Sequence, residues 1–119
     1  MDASTITTLT DLANKYIARE KTVREELAAR LTDMTKPIDG SDLRLAATVT
    51  ATALPFRMLL EDADGEDFAK AFTRLRKRLT RTVLSTGPSH SSCAMTNEVE
   101  RIRFAGFRDF LSITDAYED

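Results

Sequence analysis

A chain of 119 residues has the length of one ordinary domain, and 42% apolar residues suffice for a single core that buries about two-thirds of the unfolded surface. Charged residues make up 30%, against four Gly and three Pro, and the net charge is −2, which argues against a disordered or collagen-like chain and for a compact helical one. Cys93 is the only cysteine, so no intrachain disulfide forms; with no signal-peptide start and no apolar run near the roughly 20 residues of a membrane span, a soluble cytoplasmic protein is expected.

Residues 5–34 place Ile6, Leu9, Leu12, Ala13, Tyr16, Val23, Leu27, Leu31 and Met34 at three- and four-residue steps, the spacing of one long amphipathic helix. Thr8 with Asp11 offers a capping-box-like start if the first turn frays, and Glu20 is placed to pair with Arg24 where the apolar stripe is interrupted. At about 1.5 Å per residue the helix runs about 40 Å, longer than a compact domain of this size is wide. Part of its apolar face is therefore expected to overhang the core and to need a partner chain. Pro37 and Gly40 end it.

In "SDLRLAATVTATALPF", apolar residues alternate from Leu43 to Ala53, the period of a half-buried strand. No second segment reads as its pairing partner, so the stretch is read as an Ala-rich buried helix capped by Ser41 and bent near Pro55. The alternative is an intermolecular strand over 43–54. "EDADGED" then supplies five acids in seven residues, in a spacing that fails the calcium-loop pattern. It reads instead as a turn and helix start, with Asp64 as N-cap and Glu66 and Asp67 facing the positive end of the helix dipole.

That helix is expected to run to about Ser85, where Gly87 and Pro88 stop it. "STGPSHSSCAMTN" follows as a flexible polar connector. Asn97 with Glu100 makes a capping box for a last helix ending near Ala116, with Val99, Ile102, Gly106, Phe110, Ile113 and Tyr117 on one face. The expected fold is an all-α bundle of four to five helices in one domain, residues 1–119, with a long N-terminal helix and one flexible loop before the last.

No motif specifies a reaction. His90 and Cys93 have no carboxylate nearby in sequence to orient the imidazole, and no strand-turn-helix elbow presents a serine. One His and one Cys are too few for a zinc site, and the four isolated glycines form no phosphate loop. A non-enzymatic protein without cofactor or metal is expected.

The informative stretch is "FAKAFTRLRKRLTRTVL", Phe68 to Leu84, with six lysines and arginines and no acid. At about 100° per residue, Lys70, Arg74, Lys77, Arg78 and Arg81 fall within an arc of about 100°, opposite Phe68, Phe72, Leu75, Leu79 and Val83. Arg76 stands apart at the edge of the buried face, where it is placed to stack or to pair with an acid. Wet helical faces usually mix both signs, whereas this one has a single sign, so it points to a polyanion: nucleic acid first, an acidic protein surface second. Four arginines among the six cations suit phosphate. A pI near 5.5 fits a subunit of a nucleoprotein assembly better than a freestanding DNA-binding domain. The last helix adds Phe104, Phe107 and Leu111 on a second side, read either as packing within the domain or as the working surface of a protein-interaction module or oligomer. Arg101 and Arg108, seven apart, occupy a third side of that helix.

Overall fold

A computed structural model describes residues 1–33, 37–85 and 94–117. They form four α-helices, α1 (Ala3–Thr32), α2 (Gly40–Ala63), α3 (Phe68–Ser85) and α4 (Ala94–Thr114), and a final 3-10 turn, Asp115–Tyr117. The all-α bundle expected from the sequence is what forms, with no strand among the described residues. Residues 43–54 lie within α2, because a helix satisfies its own backbone groups whereas a lone strand would not. The expected polar connector, with His90 and Cys93, and the Gly87–Pro88 stop lie outside the described residues.

Local side chains choose the helix starts, and they differ from the expected ones. Asp2 caps α1 by accepting the Thr5 N–H at 2.8 Å, so the cap lies six positions before Thr8, the alternative start for a frayed first turn. In α2, Asp39 rather than Ser41 is the cap: its carboxylate accepts from the Ser41 and Asp42 N–H groups, while Asp42 accepts the Asp39 N–H in return. Asp64 closes α2 instead of opening α3, and Asp67 takes the opening role by accepting the Ala69 N–H at 3.0 Å. Gly65, at φ 84°, supplies the left-handed residue that this four-residue turn needs. Asn97 lies inside α4, which starts at Ala94, so the expected capping box is not a cap.

The long-range contacts define how the helices run. Arg30 pairs with Asp42 near the α1–α2 connection, and Tyr16 stacks on Phe56 further on, so α1 and α2 are antiparallel. Between α2 and α4 the partners advance together, Arg44 with Glu98, Ala51 with Gly106 and Phe56 with Phe110, so those two helices are parallel and α3 is the crossover between them. The core draws on all four helices: Leu9 and Ala13, Phe56 and Leu59, Phe72, Leu75 and Leu79, Phe107 and Phe110. Phe56 stacks on Tyr16 and meets Phe110 edge-on, both at 4.9 Å between ring centres, geometries that each add about 0.5–1.5 kcal/mol to simple burial.

The α2–α4 contact has a specific device. Pro55 has no N–H to give to the Ala51 carbonyl one turn earlier, and Gly106 of α4 packs directly on that carbonyl. A β-carbon at Gly106 would come within 2.5 Å of Ala51 C and O, so glycine is required by closeness of approach. A second device lies between α1 and α2. Buried Glu20 pairs with Arg57 at 3.4 Å, a contact across helices that replaces the Glu20–Arg24 pair expected within α1.

The bundle measures 50 × 33 × 23 Å, and 30-residue α1, at about 1.5 Å per residue, is about 45 Å long. Its buried residues, Leu9, Ala13 and Glu20, are all in its first two-thirds; Leu31, near its end, is 71% exposed. Helix α2 is long and apolar enough, by length and composition alone, to cross a membrane, a property that the core helix of a soluble protein also shows. Here it packs between α1 and α4.

Candidate nucleic-acid interface

Helix α3 leans on α2 and α4 and sorts its residues by side. Ala71, Phe72, Leu75, Arg76 and Leu79 are buried, while Lys70, Thr73, Arg74, Lys77, Arg78, Thr80 and Arg81 are exposed. The five cations expected to form a stripe therefore do share one solvent-facing side, along which runs an open depression of about 660 Å³. From Lys70 to Arg81 the row is about 16 Å long.

The five are not equivalent. Arg74 Nη2 lies 2.6 Å from Glu66 Oε1 and 3.8 Å from Asp62 Oδ2, so one carboxylate of the α2–α3 connection and one from the last turn of α2 hold the guanidinium. The Glu66 hydrogen bond and charge, with a smaller contribution from Asp62, raise the Arg74 pKa above its ordinary value. Lys70, Lys77, Arg78 and Arg81 have no ion-pair partner among the described residues. Four of the five cations thus keep their charge uncompensated among the described residues.

Arg76, two residues from Arg74, does something different. It is 6% exposed and its guanidinium lies 5.8 Å from the centre of the Phe72 ring. Nη1 donates to the Leu111 carbonyl at 2.9 Å and to Thr114 Oγ1 at 2.5 Å, and Nη2 to Asp115 Oδ1 at 3.3 Å. Thr114 Oγ1 in turn donates to the Phe110 carbonyl at 2.7 Å. The last carbonyls of a helix lack intrahelical donors and carry the negative end of its dipole, so a cation fits there. Arg76 caps α4 from a neighbouring helix, stacking and pairing as the helical phase had suggested. Its exact partners were hidden in sequence, being 35 to 39 positions away.

The second patch on the last helix is not a free surface. Phe104 and Phe107 are 6% and 8% exposed, meet edge-on at 6.2 Å, and Leu111 is half-buried against the core. Of the two readings of this patch, packing within the domain is the one the burial of Phe104 and Phe107 matches, because α4 has core on more than one side. Of the arginines on the third side, Arg101 is paired with Glu98 at 3.3 Å and Arg108 is exposed. The buried Glu20–Arg57 pair and the Gly106–Ala51 contact had no signal in the sequence beyond a charged residue on an apolar stripe and an isolated glycine. Comparison of the chain with protein-family models, curated proteins and solved structures finds no match.

Proposed function

We propose that this chain is a small non-enzymatic protein that contacts nucleic acid through the outer side of α3, by Lys70, Lys77, Arg78 and Arg81 with Arg74 beside them, as a subunit of a nucleoprotein assembly. The observation that carries this reading is a row of cations of one sign, exposed on a rigid helix, four of which have no acidic partner among the described residues. A face meant only to be wet gains little from leaving like charges together, because mutual repulsion is unfavourable and nearby acids would relieve it. The inner side of α3 supports the same reading, since the packing of Phe72, Leu75 and Leu79 and the Arg76 clamp fix the helix before any ligand arrives. A preordered surface loses less entropy on binding.

The test is fluorescence anisotropy of a labelled short DNA duplex, its RNA counterpart and an acidic peptide, with the wild type and a Lys77→Glu, Arg78→Glu double variant. Binding of nucleic acid that weakens steeply with salt and is lost in the variant, with helicity by circular dichroism unchanged, is expected. Undiminished binding by the variant would sink the proposal. Preference for the acidic peptide would move the function to an acidic protein surface.

A further inference from the structure

The arrangement around Arg74 deepens this reading and rests on it. Asp62 lies in the last turn of α2, Gly65 turns the chain, and Glu66 is placed so that its carboxylate oxygen sits 2.6 Å from the Arg74 guanidinium. The geometry is that of an anion bound at one end of the cationic row: a carboxylate takes from the guanidinium the kind of charge-assisted contact a phosphate oxygen would take. Meanwhile Lys70 and Lys77, one turn to either side, stay exposed without ionic partners among the described residues. The occupant is selective.

The row also lacks a means of holding bases. Both aromatic residues of α3 turn inward, Phe72 being buried and Phe68 packed on the core. Single-stranded nucleic acid is gripped largely by stacking on exposed rings, whereas a rigid line of cations matches the phosphates of a duplex. We propose that Glu66 and Asp62 act as an internal phosphate mimic that withholds Arg74, so that four cations, Lys70, Lys77, Arg78 and Arg81, contact the backbone of a double-stranded nucleic acid without reading its sequence. The two carboxylates thereby set the strength of the site and keep it weak and exchangeable.

Counterion release makes this countable. Each phosphate contact on a duplex adds about 0.9 to the steepness of log K against log salt, so four contacts give a slope of about −3.6 and five about −4.5. The experiment is a salt titration of a labelled duplex with the wild type, Asp62→Asn with Glu66→Gln, Arg74→Ala, and the combination of all three changes. The proposal expects a slope near −3.6 for the wild type and for Arg74→Ala. Freeing Arg74 by Asp62→Asn with Glu66→Gln is expected to steepen the slope to about −4.5 and to tighten Kd about eightfold at about 0.1 M salt. In the Arg74→Ala background most of that gain should vanish, which separates a released arginine from a general drop in negative charge.

An equal gain with and without Arg74, or a wild-type slope that already flattens on Arg74→Ala, overturns the proposal. Binding of a mixed-sequence single strand as tight as the duplex overturns its duplex part. No binding of the wild type to any nucleic acid would instead overturn the functional reading on which it rests, and the two failures are told apart in the same titration.

Discussion

Arg74 and Arg76 are two positions apart in sequence and are separated by the whole thickness of α3. Outward, Arg74 lies on a solvent-facing row and is held by carboxylates from its own end of the bundle. Inward, Arg76 is buried and spends its donors on the end of α4. The same side chain thus serves a ligand surface on one side of the helix and the fold on the other. What separates the roles is about 200° of helical phase and the surroundings that each side meets. A count of basic residues would have pooled them, although Arg76 is buried in the fold and Arg74 is exposed.

The largest expected effect belongs to the inner side. Arg76→Ala should lower unfolding stability by about 2–3 kcal/mol, because charge-assisted bonds to Leu111 and Thr114 are lost together with packing on Phe72. Arg78→Ala, on the outer side, should change it by less than about 0.5 kcal/mol. Urea unfolding of the two variants measures this contrast directly, and equal losses would erase the distinction between the sides.

Somewhat smaller is the effect of Gly106→Ala, which tests the frame that holds α4 within reach of Arg76. The added methyl meets the Ala51 carbonyl at 2.5 Å, so α2 and α4 must separate, at a cost of about 1–3 kcal/mol. Amide exchange at the end of α4, where Arg76 binds, should rise in this variant. Unchanged exchange there would mean that the glycine contact and the arginine clamp are independent.

The smallest effect is at the surface. Asp42 accepts the Asp39 N–H and faces Arg30, which holds its carboxyl below the ordinary value of 3.8, the Asp39 backbone bond being the main cause. A carboxyl whose folded pKa is lowered adds stability that is complete above its unfolded value and lost as pH falls through the folded one. Asp42→Asn should therefore be slightly less stable than wild type at neutral pH, with the gap closing as pH drops below about 4. Thermal unfolding across that range checks it. A gap independent of pH would refute the assignment.

Comparison of α3 with α2 accounts for what was legible. Helix α3 alternates large apolar residues and cations at helical spacing, and its sides, including the odd position of Arg76, were readable from phase alone. Helix α2 is rich in Ala and Thr, whose small side chains mark no side strongly, and Leu43 to Ala53 alternate as a strand would. Only the absence of a pairing partner favoured a helix there. Helix starts were misread for a related reason: acids are plentiful at each boundary, and which of Asp39 or Ser41, Asp64 or Asp67, does the capping depends on where the chain turns.

Local sequence by itself determined that this protein is helical, where its helices approximately lie, and which side of α3 carries the charge, because these follow from spacing between near neighbours. Tertiary structure decided the rest. Phe104 and Phe107 became core because α4 is covered on more than one side, Glu20 found Arg57 on another helix, and Gly106 proved to be the point where α4 touches the carbonyl that Pro55 leaves unserved. It also distinguished Arg74 from its neighbours in the row, since the carboxylates that hold it reach back across a turn. Each of these depends on distances between residues remote or separated by a turn, and periodicity along one helix carries no information about what another helix brings to meet it.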